Sequence, residues 1–382
     1  MSLYYKNFYR LKLFLSFLIR VRFKTLKIKR KIVIFDCVNS SDLAEVLKNN
    51  ELFIMSSRIQ RIQTIYVSKH IVFFILKNFL KRKIKLNYFI ALIKEIKPNV
   101  VITTIDNSVE FSLLSKYFLG KVKFLAIQFA TRNDIYNNNQ NNNQHLYYSN
   151  LICFSKFDLE LLESKGIKVN NYYFAGSLKN SYFKNFFYNH KNQKKYDICY
   201  VCKQMIKKPD NILNQIIKNQ IENLKHLARY INGKNLKVII QSKLEKNLRE
   251  KKLYEEIFTS SNVDISWRES EKDYLNSYNN ISNSKIVLGT PSTLLREALV
   301  YDAKVLCCET DPCEEGSHPF SGYNYLGNFN YQQFENKLDE INYISLEEYF
   351  KKTHQQKDYY MKSSDTIQVL KNLVEKDNNS LI

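Results

Sequence analysis

Uninterrupted apolar runs limit how this chain can fold more than any other feature. KIVIFD, NVVITTID, FLAIQFA, LICFS, YDICYVC, LKVIIQS, KIVLG and KVLCCE each hold three or more consecutive apolar or β-branched residues with no polar alternation. A strand with one wet face alternates, whereas a continuous run must be covered on both faces. Between the runs lie stretches with helical spacing, among them LAEVLKNN behind the polar turn VNSSD, KFDLELLESKG, and the residues around 211–230, 248–258 and 273–278. A longer helical tract passes through SKHIVFFILKNFLKRK and LNYFIALIKEI and stops at Lys97-Pro98. Strands alternating with helices need crossover connections, and these give mostly parallel sheets.

Length turns one such sheet into two. At 382 residues the chain exceeds an average domain, so two domains sharing a cleft are expected. The pattern places an N-terminal Rossmann-like domain over 31–178 and a C-terminal Rossmann-like domain over 196–320. A polar, aromatic and basic linker runs from Lys179 to Lys195, and a helical extension occupies 321–382. YNNNQNNNQ has nothing apolar to bury and reads as a loop.

The formal net charge of +21 implies an anionic partner: nucleic acid, a phosphorylated small molecule or a lipid surface. Residues 1–30 interleave Leu, Phe and Ile with cations and contain no acid, which suits an amphipathic segment lying on an anionic membrane surface. Its longest uncharged run is too short to span a bilayer and lacks a secretory cleavage site. The seven scattered cysteines fit a reducing, cytoplasmic setting better than a disulfide framework. Cys199 and Cys202 fall in an apolar strand rather than a zinc-knuckle turn, so no metal is expected. A basic nucleic-acid-binding protein is the alternative of another class. Against it, most aromatics sit inside apolar runs and no RNA or DNA motif occurs.

The stretch GTPSTLLREALVYDAKVL, from Gly289 to Leu306, carries the chemistry. An apolar strand ends on Gly289, turns through Pro-Ser-Thr and opens a helix. Such a junction offers unpaired N–H groups and the positive end of a helix dipole to a phosphate. Ser292 and Thr293 add hydroxyls, and Glu297 sits one turn on, where a carboxylate can accept from a ribose diol. The Ser/Thr-x-x-Glu capping box does not fit, because Arg296 stands at the box position. In the first half, Asp106 ends the run VVITTID and is the expected general base for an acceptor hydroxyl. Gln128 and Arg132, at the end of the next run, are the expected contacts to substrate.

The pattern Ser-Thr, three residues, Glu-Ala-Leu, then a strand resembles the nucleotide-binding segment of GT-B glycosyltransferases. It is most similar to that of bacterial capsule transferases using CMP-activated keto-acid sugars. The order IFDCVNSSDL, KPNVVITTIDN, FLAIQFATR, YYFAGSLKNSYF, GTPSTLLREAL is similar to the family of surface carbohydrate biosynthesis proteins over about 31–306. The resemblance implies an α/β protein of GT-B type, with two Rossmann-like domains facing across a cleft. It implies metal-independent transfer of a sugar, without a cofactor, from a nucleotide-sugar donor to a glycan or glycolipid acceptor at the inner face of the cell membrane. CMP-Kdo or another CMP-nonulosonic acid is the preferred donor and a UDP-sugar the alternative. Two departures qualify it. Gly289 stands where the commonest retaining class has a second glutamate, and Gln241-Ser242-Lys243 replaces the usual His-Pro, leaving Lys243 as the phosphate partner. His318, in the chain's His-Pro pair, is expected on a loop lining the cleft.

Overall fold

In a computed structural model the described residues are 21–25, 32–58, 61–131, 146–188, 194–203, 211–243, 248–259, 262–268, 273–312 and 320–375. In chain order the first half contains β1 (Arg22–Thr25), β2 (Ile32–Phe35), α1 (Ser41–Val46), β3 (Leu52–Met55), β4 (Thr64–Val67), α2 (Lys69–Lys77), α3 (Ile84–Ile96) and β5 (Val100–Thr103). It continues with α4 (Val109–Tyr117), β6 (Lys123–Ile127), β7 (Tyr147–Cys153), α5 (Lys156–Ser164), β8 (Lys168–Phe174) and α6 (Leu178–Phe186). The second half holds β9 (Tyr196–Val201), α7 (Asn211–Ile231), β10 (Val238–Gln241), α8 (Leu248–Ile257), β11 (Val263–Ser266), α9 (Tyr274–Ser282), β12 (Ser284–Gly289) and α10 (Thr293–Glu297). β13 (Lys304–Glu309), β14 (Tyr325–Gly327), α11 (Tyr331–Tyr343), α12 (Leu346–Tyr360) and α13 (Thr366–Glu375) complete it.

The apolar runs become two parallel sheets. The first has the order β3-β2-β5-β6-β7-β8 and the second β11-β10-β9-β12-β13-β14. Every residue of β2, β5 and β10 is buried, as an unbroken apolar run requires, and so is every residue of β7, including Ser149 and Asn150. Successive side chains point to opposite faces. Phe35 therefore joins Phe89, Phe111 and Phe124 on one face of the first sheet, while Ile34, Ile102 and Leu125 build a separate core on the other. Each sheet thus carries a helical layer on both sides, the doubly wound arrangement expected.

Two segments depart from expectation. The stretch read as a linker opens with α6, whose N-cap Ser177 accepts from the backbone N–H of Asn180 at 3.4 Å and whose Leu178 and Phe183 are buried. The residues read as an appended helical extension are divided between the two sheets. Phe334, Leu338 and Ile341 of α11 join the core of the second sheet. On α12 the Tyr349 hydroxyl donates to the Val305 carbonyl at 2.7 Å and accepts from the Val305 N–H at 2.9 Å. The chain then returns, so that Ile367, Leu370 and Val374 of α13 complete a core of the first sheet. The return passes Gly176, which has φ +80°, and where a Cβ would lie 2.3 Å from the Lys362 carbonyl oxygen. Any side chain there would force the two segments apart.

Of the segment 1–30, only 21–25 is among the described residues, and it contains β1, paired in parallel with β4. No described helix is long and apolar enough to cross a membrane.

Candidate functional site

The strand order of the second sheet locates its crevice. From β9 the chain steps outward through β10 to β11, then returns to place β12 on the other side of β9. At such a reversal the connections leave in opposite directions beyond the carboxyl ends of the strands, and a gap opens between them. A cavity of about 490 Å³ lies there. Its walls come from Val201–Lys203 after β9, Gln241–Lys243 after β10, Arg268 after β11 and the turn from Pro291 to Leu294. The first half closes it with Phe129, Ala130, Thr131 and Lys179.

The hydroxyl pair of the quoted stretch does less than its position promised. Ser292 is an ordinary N-cap, its Oγ accepting from the Leu295 N–H at 3.1 Å. Thr293 Oγ1 accepts from the Thr131 N–H at 3.0 Å and so ties the two halves together across the cavity. Because α10 is only five residues long, its dipole is slight. Both residues line the cavity.

Glu297 lines the cavity with 3% of its surface exposed. Burial raises its carboxyl pKa above the ordinary glutamate value. Hydrogen bonds from Ser177 and Tyr278 oppose that shift, as do the charges of Lys179 and Arg296. Gly289 is not on the cavity wall. A Cβ there would stand 2.7 Å from the Val201 carbonyl oxygen, so this glycine allows β12 to approach β9. Lys243 is exposed at the rim.

The residues expected to face an acceptor lie elsewhere. Asp106 and Gln128 share a separate void of about 10 Å³ with Tyr148 and Asp158. Asp106 is buried, and its carbonyl accepts from the Tyr148 hydroxyl at 2.6 Å. Gln128 donates to Asp158 Oδ1 at 2.7 Å and to the Ala130 carbonyl at 3.2 Å, and accepts from the Phe154 N–H at 2.9 Å. Its amide is thus engaged in holding the fold. In this geometry the general base expected at Asp106 does not reach the cleft, and neither does the substrate contact expected at Gln128. Arg132 and His318 lie outside the described residues.

Two groups with no evident role in the sequence organise the region. Arg296, wholly buried, donates from Nη1 to Asp158 Oδ1 at 2.8 Å, from Nη2 to Ser155 Oγ at 2.9 Å and from Nε to the Tyr360 carbonyl. Its guanidinium lies 5.3 Å from the ring centroid of Phe154 and 5.6 Å from that of Phe157. This paired, bidentate cation joins the helix of the Ser-Thr turn to α5 of the first half. Lys179 lies 4.2 Å from the ring of Phe129 and 4.5 Å from that of Tyr274, so a cation of the first half is held by rings from both. An arginine one residue past the N-cap's Leu295 partner was the available signal for the first. For Lys179 the only trace was Ser177, a cap ahead of a stretch read as linker.

No known family pattern matches the sequence, and no curated protein matches it. Solved structures do. S. aureus MnaA, determined with UDP, shares 14% identity, aligned over 93% of this chain and 98% of its own, at a TM-score of 0.55. UDP-GlcNAc 2-epimerase from Neisseria meningitidis, bound to UDP-GlcNAc, shares 14% over 90% of this chain and 99% of its own, at 0.53. A glycosyltransferase from Rickettsia africae shares 14% over 92% and 99%, at 0.52. What this chain has in common with them, over nearly its whole length, is the fold: GT-B, two Rossmann-like domains facing across a cleft.

Proposed function

We propose that this protein is an enzyme acting on a uridine diphosphate sugar, bound in the cavity at the β9–β12 reversal. The observation that carries this reading is the charge of the cavity wall. Lys179, Lys203, Lys243 and Arg268 line it, and Glu297 is the one carboxylate among the described lining residues. Arg296 also borders it, with its guanidinium directed to Asp158 across the contact between the halves. Four cations suit the two phosphates of a nucleoside diphosphate better than the single phosphate of a CMP-linked sugar. The nucleotides in two of the structural neighbours, UDP in one and UDP-GlcNAc in the other, point the same way. The CMP-Kdo preference drawn from the Ser-Thr pair therefore gives way to the UDP-sugar alternative. That pair is engaged as a cap and a bridge between the halves. Glu297, which lines the cavity, would accept from the ribose hydroxyls.

The reaction we propose is transfer of the sugar to a glycan or glycolipid acceptor entering from the first half. The wall cations would stabilise the departing diphosphate without a metal. Epimerisation of the bound sugar is a second reading, favoured by the neighbour bound to UDP-GlcNAc. Calorimetric titration tests the shared core of both: UDP should bind at least about tenfold more tightly than CMP, and equal or tighter CMP binding overturns the proposal. Incubating the protein with UDP-sugars separates the two. An epimerase interconverts the sugar with no acceptor present, and a transferase does not.

A further inference from the structure

The helical tract that begins in SKHIVFFILKNFLKRK is only half covered. Ile71 of α2 is buried, and Phe74 and Ile75 pack on the first core. On the opposite side Val72, Phe73 and Leu76 face outward, followed by Phe79, Leu80 and Ile84 in the turn into α3. Leu76 is 70% exposed, Phe73 66% and Leu80 92%. A single exposed leucine is ordinary, whereas six large apolar side chains on one hairpin make a patch that water does not favour.

The charges carried by the hairpin itself are of one sign. No acid occurs between Glu51 and Glu95, while Lys69, Lys77, Lys81 and Lys83 are exposed along the hairpin. Lys85 is paired with Glu110 at 2.6 Å and is not counted among them. The patch is anchored rather than loose. Ser68 caps α2 by accepting from the Ile71 N–H at 3.2 Å, and the Tyr88 hydroxyl accepts from the Tyr66 N–H at 3.0 Å, fixing β4 to α3. β1 lies beside β4 and carries Phe23, 71% exposed, so a further apolar side chain sits on the neighbouring strand pair.

We propose that the α2–α3 hairpin is a membrane-docking surface that inserts Phe73, Leu76, Phe79 and Leu80 among the headgroups of an anionic bilayer, with the surrounding lysines meeting lipid phosphate. Charge complementarity selects this occupant. A second copy would bring its own ring of lysines against this one and be repelled. A nucleic acid would meet the lysines but leave the leucines uncovered. An anionic bilayer satisfies both parts at once, acyl chains for the apolar crown and phosphates for its rim. The surface is built on the first half, so the β9–β12 cavity and its nucleotide are untouched by the proposal.

The test is co-sedimentation of the full-length protein with vesicles of equal parts phosphatidylglycerol and phosphatidylcholine, against vesicles of phosphatidylcholine alone. Wild type should partition at least about tenfold more strongly onto the anionic vesicles, and a rise in salt should weaken it. Leu76→Glu with Leu80→Glu should abolish that difference, while the thermal midpoint and UDP affinity stay at the wild-type values because both side chains are exposed. Lys77→Glu with Lys81→Glu should weaken binding to anionic vesicles while leaving the weak partitioning onto neutral ones unchanged. Undiminished vesicle binding by the leucine variant overturns the proposal, as does a wild type that ignores anionic vesicles. A wild-type dimer that the leucine variant dissociates also overturns it, because the patch would then be an interface between copies.

Discussion

The two sheets reverse direction in comparable places and finish them differently. In the second, the gap between the ends of β9 and β12 remains open at about 490 Å³ and is lined by cations. In the first, where β2 and β5 diverge, the chain fills the gap with its own polar groups. Asp36, held at φ 76°, accepts from the Val38 N–H at 3.1 Å, the Ser57 hydroxyl at 2.5 Å and Arg58 Nε at 3.3 Å. The Thr103 hydroxyl donates to the Phe35 carbonyl at 2.8 Å, and that of Thr104 to the Val38 carbonyl at 3.3 Å. A reversal in strand order creates the opportunity for a site. Whether a ligand can use it depends on whether local side chains already satisfy one another.

The contrast can be broken at the contact between the halves, where the largest effect is expected. Arg296→Met leaves Asp158 buried without its cation and should cost about 3–5 kcal/mol in urea unfolding. A loss below about 1 kcal/mol would mean that the halves are held together elsewhere.

Next in size is the nucleotide itself. Removing two wall cations, Lys203→Ala with Arg268→Ala, should weaken UDP binding by about 3 kcal/mol in calorimetry. Asp36→Asn, at the filled reversal, should leave UDP affinity within about twofold and lower stability by about 1–2 kcal/mol. If Asp36→Asn weakened UDP binding as much as the cation pair does, the filled reversal would also be part of the site.

Glu297 sharpens the comparison through pH. Its folded-state pKa is raised by burial, so between the ordinary value of 4.5 and the raised value the folded protein binds more proton than the unfolded chain. The corresponding stability is fully present below 4.5 and is lost as pH rises through the folded value. Glu297→Gln should remove that fall, so the difference in stability between variant and wild type should shift toward the variant as pH rises. Ribose hydroxyls bind the ionised form better, so the same substitution should weaken UDP binding by about 1.5–3 kcal/mol at pH 8 and by less at pH 5. Pairs of urea and calorimetric titrations at the two pH values check both signs.

The smallest effect is expected at Asp106. Asp106→Asn should reduce turnover by less than about threefold, because the side chain does not line the cleft. A loss of about a hundredfold, typical of a missing general base, would return catalysis to the first half.

Much of the fold was legible because doubly covered parallel strands show as unbroken apolar runs. β2, β5, β9, β10 and β13 fall inside runs quoted from the sequence, β6 and β12 begin one residue before theirs, and β7 begins four residues before LICFS. β1, β4 and β14 did not stand out. β1 is wholly exposed, and RFKT has no apolar run at all. The site was less legible because a strand end does not reveal which way its last charge turns. Asp106 read as facing a cleft, yet Tyr148 and Gln128 enclose it. Lys179, Lys203 and Arg268 come from three separate elements and meet only through tertiary packing. Period alone gave α2 as a helix and left its exposed side unread, because helical spacing identifies faces without saying which of them another element will cover.

The return of the chain to its first sheet also sets an order of events during synthesis. The core around Ile34, Ile102 and Leu125 is completed by Ile367, Leu370 and Val374, which a ribosome adds long after every strand of that sheet. Until they emerge, one face of a sheet whose strands were finished long before has no α13 to cover it. A stop codon placed just after Met361 would leave both strand orders intact, yet would leave the part of that face under α13 permanently bare. The expected product is a chain that is mostly folded and held by chaperones.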